Sequence, residues 1–522
     1  MNLLRKIPNK YLVLIIFTIF VGLHLSLLNI NSAEWGDSYR ILRASEHLRS
    51  FNYPTDEKRP PLFSLFLAFR PIEDVDPILW GRIFMLFVSC VNFYLFYLLA
   101  KEILEKDYQK ICLALLFFTF NPVLLYWSLR IYADLFFTLW VVLGFLLVLR
   151  SPKFPWNVVA ISFVAFLAIL TRFEGYILAF AFGTYFFLRK SKNGSFELPL
   201  LAKENFLHAL TYTIFLFMLL IPYWLWRNPF NSSYFSETST MPYDIKTCLV
   251  FIFSLVFAFG YTSAAAFFVT MPRKIFSFAL KVPSVIVFIV LELLLILLWP
   301  AAIPRLFAPI IPFLILFLAS VIIDVFNDEG NTSRFLIPLS LILLVLYPVA
   351  QKIFALQFLL PSYKGIGVLF LINFASVYFL YKRNFKLFIL SILISSIFWS
   401  LGVIFLHKDI YYSLQKGAFY AAKNLEGTVA YNDVSSISSW YLKYLPIRKP
   451  SLYGTYFEYG TGSQLDLDYL KNKGYDYLLI TNEHNPSLNI DFEARPHLEV
   501  INTFEKVVNG KLFFTKVVKV KN

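Results

Sequence analysis

Charge is scarce in this chain: 15% of its 522 residues are Asp, Glu, Lys or Arg, where roughly 25% is usual for a soluble domain. With 58% hydrophobic residues and a mean hydropathy of +0.64, packing around one water-surrounded core is excluded, and a bilayer has to take the apolar surface. Cysteine is equally sparse. Cys90, Cys112 and Cys248 all fall in apolar runs, which excludes a disulfide framework and a thiolate metal site. The six histidines are scattered without H-x-x-x-H or H-x-x-E spacing, so no zinc site can be argued. The net charge of +14 raises nucleic acid as a partner, but basic residues in a membrane protein are first tested against the positive-inside rule.

What the sequence has instead is apolar runs of spanning or near-spanning length. They lie at 11–30, 78–100, 110–129, 131–149, 156–171, 173–188, 205–226, 247–270, 282–299, 303–323, 335–350, 365–381 and 385–406, which predicts about thirteen transmembrane helices. Lys and Arg cluster in alternate connections: Arg5, Lys6 and Lys10, then Lys101, Lys106 and Lys110, then Arg189, Lys190 and Lys192, then Lys382, Arg383 and Lys386. This places the amino terminus in the cytoplasm, and the 31–77 loop and everything after 406 outside. The charge is thereby explained without nucleic acid.

After 406 the composition turns mixed. Strand-like segments at 428–432, 475–482, 497–505 and 511–520 alternate with helical patterns at 411–425, 434–444 and 465–473. The expected fold class is an α-helical polytopic membrane protein, residues 1–406, with an extracytoplasmic α/β domain over 407–522. No G-x-G-x-x-G or G-x-x-x-x-G-K-T pattern occurs in that domain, so nucleotide binding has no support there. The run YGTYFEYGTGS, with Tyr453, Tyr456 and Tyr459, offers either carbohydrate contact or ordinary packing.

The 31–77 loop is long and charged, and loops of that length without their own structure are uncommon unless functional. Its DSYRILRASEHLRS stretch reads as an amphipathic helix at the membrane surface. On that reading Asp37 is an N-cap, and Arg40 and Arg43 meet lipid headgroups. Then comes EKRPPL, Glu57 to Leu62, where two prolines stiffen the return to the second span. Charges inside or at the ends of spans are expensive and become candidates by default. Asp134 sits beside Arg130, Arg172 and Glu174 lie where the fifth and sixth spans meet, and Glu292 lies well inside the ninth. For Arg172 and Glu174 a purely structural ion pair competes with a substrate role, and Arg82 reads as a snorkelling side chain.

Taken together, these strings resemble the GT-C superfamily of polyprenyl-phosphate-sugar-dependent glycosyltransferases, in particular family 39-type protein mannosyltransferases, the aminoarabinose transferases of lipid A and Rgt-like galacturonosyltransferases. GDSYRILRAS is similar to the family's D-E-x-x-Y-x-x-x-A string, with Asp37 at the acid and Ser38 departing at the second position. EKRPPL is similar to its E-K-P-P-L, with Arg59 in the basic position and Glu57 one residue farther from the prolines. NPVLLYWSLRIYADLFFTLW puts Asp134 where an acid heads the fourth helix; TRFEG and the R-x-x-x-P-x-x-P segment from Arg305 are further likenesses.

The resemblance implies transfer of a sugar from a polyprenyl-phosphate donor to a protein, lipid or glycan acceptor, with inversion. It implies catalytic roles for Asp37, as general base, Glu57 and Asp134, and donor-phosphate roles for Arg59, Arg305 and Lys58. Tyr39, Arg172 and Glu174 are substrate-site candidates. A divalent cation could use the oxygens of Asp37, Glu57 and Asp134, and the family leaves metal dependence open. A lipid-linked-sugar transporter or a non-catalytic membrane subunit would share the spans and the cationic lipid-phosphate site without the chemistry.

Overall fold

The computed structural model describes residues 9–71, 75–150, 155–187, 203–227, 283–299, 304–327, 335–354, 363–446, 448–457, 473–484, 496–508 and 510–521, with scattered positions from 243 to 272. Helix α1 (Asn9–Leu27) rises to the first loop, which holds α2 (Gly36–Arg49) and the short α3 (Leu62–Ala68). The bundle continues with α4 (Pro77–Ile103), α5 (Tyr108–Thr119), α6 (Pro122–Ser128), α7 (Ala133–Arg150), α8 (Trp156–Ile169), α9 (Gly175–Phe187) and α10 (Lys203–Trp226). After these come α11 (Thr262–Thr270), α12 (Pro283–Leu298), a 3-10 turn at Pro304–Phe307, α13 (Ile311–Asn327), α14 (Leu336–Phe354), α15 (Tyr363–Tyr381) and α16 (Phe385–His407).

Among the described residues five helices are long and apolar enough to cross a membrane: α1 from Lys10, α4, α7, α10 from Phe206, and α16. The expected span at 110–129 is not one rod. It breaks between α5 and α6 with a 52° bend, because the Asn121 side chain accepts from Val123 N and Leu124 N and Pro122 opens the new helix. The 303–323 run likewise begins as the 3-10 turn, and its helix starts only at Ile311. The other apolar helices, α8, α9, α12 and α13 with parts of α14 and α15, are shorter. Much of the expected 247–270 span lies outside the described residues.

Helix α17 (Tyr412–Asn424) leads into a sheet built of β1 (Gly427–Tyr431), β2 (Leu452–Tyr456), β3 (Tyr477–Thr481), β4 (Leu498–Val508) and β5 (Lys511–Val520). The strand order is β2-β1-β3-β5-β4. The first three strands are parallel, with Val429 opposite both Gly454 and Tyr477, and β5 runs antiparallel to β3 and β4. Helix α17 covers this sheet with Leu414, Ala418, Ala421 and Ala422, all buried at helical spacing.

Four expected strands are present, and β2 is an addition: it occupies the tyrosine run, where Leu452 and Gly454 are buried while Tyr453 and Tyr456 face out. Tyr459 and most of the expected helix at 465–473 lie outside the described residues. The first loop is tied to the end of α16, where Ser32 N donates to Lys408 O at 2.7 Å and Ser32 Oγ to Asp409 Oδ1 at 2.9 Å, and Asp409 in turn pairs with Lys506 of β4 at 3.2 Å. A second tie is the packing of Trp440 and Tyr441 against α2.

Candidate active site: an arginine–carboxylate chain

Helix α2 starts under the sheet-bearing domain. Its N-cap position is Trp35, in extended conformation and without a side-chain cap bond, so Asp37 is not the cap that its position suggests. A Cβ on Gly36 would collide with the Ser435 carbonyl oxygen, so the lack of a side chain is what lets α2 begin so close to that loop. The Asp37 carboxylate is instead gripped from two directions. Arg59 Nη2 lies 2.6 Å from Oδ1 and Arg305 Nη2 3.1 Å from Oδ2, and Asp37 keeps 35% of its side chain exposed.

Arg59 is set by its own turn. Glu57, buried, accepts from the Arg59 backbone N at 3.1 Å and from Nη1 at 3.0 Å. The Arg59 carbonyl receives Tyr53 Oη at 3.0 Å and Arg227 Nη1 at 3.2 Å, and Pro60 and Pro61 lead directly into α3. Lys58 is half-buried in the same turn.

Arg305, on the 3-10 turn, lies over the rings of Tyr132 and Trp127, 4.4 and 5.5 Å from their centroids. Its Nε is 3.8 Å from Asp134 Oδ1. Asp134, buried in the first turn of α7, is bonded by Arg172 Nη1, and Arg172 Nη2 bonds Glu174. Glu292, buried in α12, faces Glu174 and Arg172 electrostatically. Asp134 thus pairs with Arg172 and not with its sequence neighbour Arg130.

The result is one chain of alternating charge: Glu57, Arg59, Asp37, Arg305, Asp134, Arg172, Glu174. Burial opposes ionisation of Asp37, but the Arg59 and Arg305 guanidinium groups outweigh it and hold its carboxyl well below the usual carboxylate range. Glu174 is shifted the same way, burial being overcome by Arg172. Each carboxylate in this chain pairs with an arginine, although the buried Glu57 Oε2 has no hydrogen-bond partner among the described residues. Among the described residues no three His, Cys, Asp or Glu side chains converge to hold a metal ion.

Tyr39 does not join this chain. Two residues on, it points roughly 200° around α2 from Asp37, is fully buried, and packs its ring 6.0 Å from Tyr441 and 6.4 Å from Trp440. Arg40 reaches Ser436 Oγ at 3.4 Å, and Arg43 pairs with Asp56 at 2.8 Å, so both make contacts within the protein.

Sequence reasoning missed a second buried group. Arg82 does not snorkel: its Nε pairs with Glu34 Oε1 at 2.8 Å, Nη1 bonds Asn29 Oδ1 at 3.2 Å and Nη2 the Asn31 carbonyl at 2.7 Å. A charge in the second turn of a span needs a partner, and Glu34 in the loop before Asp37 was the signal. Nearby, Arg130 lies between the Trp35 and Tyr126 rings and donates to Asn31 Oδ1 at 3.1 Å.

No family model matches the chain, and no curated protein does. Solved structures do. ArnT from Cupriavidus metallidurans bound to undecaprenyl phosphate has a TM-score of 0.57 at 10% identity, over 97% of this chain and 97% of that one. ArnT from the same organism in the apo state gives 0.57 at 10% identity over 96% and 97%. The archaeal oligosaccharyltransferase AglB from Archaeoglobus fulgidus, in complex with an inhibitory peptide and a dolichol-phosphate, gives 0.49 at 11% identity over 91% and 70%. The ArnT likeness, at that identity, is one of fold alone: a bundle of apolar helices followed by a small carboxy-terminal sheet.

Proposed function

We propose that this chain is a membrane glycosyltransferase that moves a sugar from a polyprenyl-phosphate donor to an acceptor hydroxyl on the extracytoplasmic face. The observation that carries the reading is the double grip on Asp37, one oxygen held by Arg59 from the first loop and the other by Arg305 from the late 3-10 turn. A carboxylate and two guanidinium groups are what this reaction needs side by side. The acceptor oxygen attacks the anomeric carbon, the bond from that carbon to the phosphate oxygen breaks, and the electron pair leaves on the lipid phosphate. The acceptor proton passes to Asp37, while Arg59 and Arg305 stabilise the departing charge with bidentate donors. A single displacement inverts the anomeric carbon. The ArnT structure of like fold, bound to undecaprenyl phosphate, supports a lipid phosphate as the group these arginines receive.

With its pKa depressed by two arginines, Asp37 is a weak base. A donor phosphate competes with Asp37 for the same guanidinium groups, and any arginine it draws away raises the basicity of Asp37. Donor binding and activation of the base are then one event, which keeps the base weak until a donor is present. In this scheme Glu57 orients Arg59, and Asp134 with Arg172 and Glu174 backs Arg305, while Lys58 adds positive charge beside the phosphate.

Binding of undecaprenyl phosphate to the nanodisc-embedded protein tests the competition. Arg305→Lys should weaken it at least ten-fold, because an ammonium cannot replace the fork of a guanidinium. Asp37→Asn, which removes the competitor, should leave it as tight or tighter. Equal weakening by both substitutions would contradict the scheme.

A further inference from the structure

On the other side of α2 from Asp37 lies a cavity of about 390 Å³ between the first loop, the start of α4 and the sheet-bearing domain. That volume falls within the roughly 300–1,000 Å³ typical of small-molecule sites. Its walls include Glu34, Asp76, Arg82, Gln415, Phe419 and Tyr441.

The charge of Arg82 is already committed to Glu34, Asn29 and Asn31. An anion entering here would meet the Asp76 and Glu34 carboxylates, and among the described residues that line the chamber there is no free cation to answer them. The remaining groups are those of a site for an uncharged polyhydroxylated ring. The Phe419 and Tyr441 rings, 6.0 Å apart in the T-shape set by their neighbour packing of 88° between Phe419 and Tyr441 planes, offer apolar surface. Gln415 donates through Nε2 to Tyr441 Oη at 3.1 Å, which leaves its buried carbonyl Oε1 without a hydrogen-bond partner among the described residues. A buried acceptor of that kind is costly to leave unmet; Gln415 lines the chamber, and a turn of its side-chain amide toward the chamber would let a sugar hydroxyl donate to Oε1.

We infer that this chamber binds a sugar unit, and that the unit belongs to the acceptor, held away from the reacting hydroxyl. The assignment to the acceptor rests on the transferase reading; the carbohydrate site does not. Helix α2 separates the chamber from Asp37, with Tyr39 packed against Tyr441 between them, so a sugar here is remote from the bond that forms. Contacts to such a remote unit hold the acceptor and favour one class of acceptor over another.

The test uses the full chain in lipid nanodiscs free of sugar-headed detergent and a panel of methyl glucoside, mannoside, galactoside and arabinoside with maltose, read by saturation-transfer NMR. At least one glycoside should take up saturation from the protein. Gln415→Leu should weaken it roughly ten-fold or more, as loss of a buried hydrogen bond implies, and Ile78→Trp, which fills the chamber from the opposite wall, should abolish it. No signal across the panel, or a signal indifferent to both substitutions, would overturn the site.

Transfer kinetics then separate the sources of the sugar. Gln415→Leu should raise the acceptor KM and leave the donor KM unchanged, whereas a raised donor KM would overturn the acceptor assignment. Transfer by wild type with no glycoside binding would end this inference and leave the transferase reading standing; glycoside binding lost in Gln415→Leu, with no transfer from any donor, would do the reverse.

Discussion

At Asp37 two guanidinium groups outweigh the burial that opposes its charge. Its folded pKa lies below its unfolded value, so its ionised form adds stability that is fully present above the usual carboxylate value of about 4 and is lost as pH falls toward the depressed one. Thermal melting between pH 6 and pH 3 should therefore fall more steeply for wild type than for Asp37→Asn below about pH 4; parallel curves would mean that the two arginines do not act on it. The Glu34–Arg82 pair makes a different prediction. Removing one partner of a buried pair typically costs about 3–5 kcal/mol, while replacing both by apolar groups often costs far less. Arg82→Met should lower the melting temperature clearly, and Glu34→Leu with Arg82→Met should recover much of the loss. A double variant as unstable as the sum of the singles would contradict a coupled pair.

At the scale of elements, the relation of α2 to the loop after β1 decides where Asp37 stands. Asp433 builds that loop, accepting from Ser435 N and Ser438 N at 2.7 Å each and from His484 Nε2 at 2.9 Å. Burial opposes its charge, yet these hydrogen bonds keep its carboxyl below the ordinary range. The Ser435 carbonyl then caps the space over Gly36. Gly36→Ala should push α2 away and lower kcat at least ten-fold, with little change in donor KM, since displacement of a catalytic group by an ångström costs rate before it costs binding. An unchanged kcat would show that the fit is not needed.

The helix itself was legible in the sequence, because its polar and apolar residues alternate at helical spacing. The break at Asn121-Pro122 was not, since a capping Asn and a following Pro occur in an otherwise continuous apolar run. Strand β2 escaped because its five residues, three of them tyrosine or glycine, expose Tyr453 and Tyr456 and so lack a clean alternation.

At the scale of the whole molecule, the candidate site is an assembly of distant segments: the Asp37–Arg305 contact alone spans 268 positions. The sequence supplied the residue types, through acids and arginines stranded near span ends, but partnership came only from the fold. Asp134 illustrates this, with Arg130 four residues away and yet Arg172 as its partner. Tyr39 illustrates the converse, near Asp37 in sequence and on the other face of its helix.

The central claim is that Asp37 takes the acceptor proton while its arginines take the phosphate. It is tested most directly by sugar transfer from radiolabelled polyprenyl-phosphate sugars, with native-membrane acceptors, in nanodiscs containing wild type or Asp37→Asn. A labelled acceptor from wild type and a loss of at least about a hundred-fold in Asp37→Asn, with donor binding intact, is the predicted result. Undiminished transfer by Asp37→Asn would contradict it.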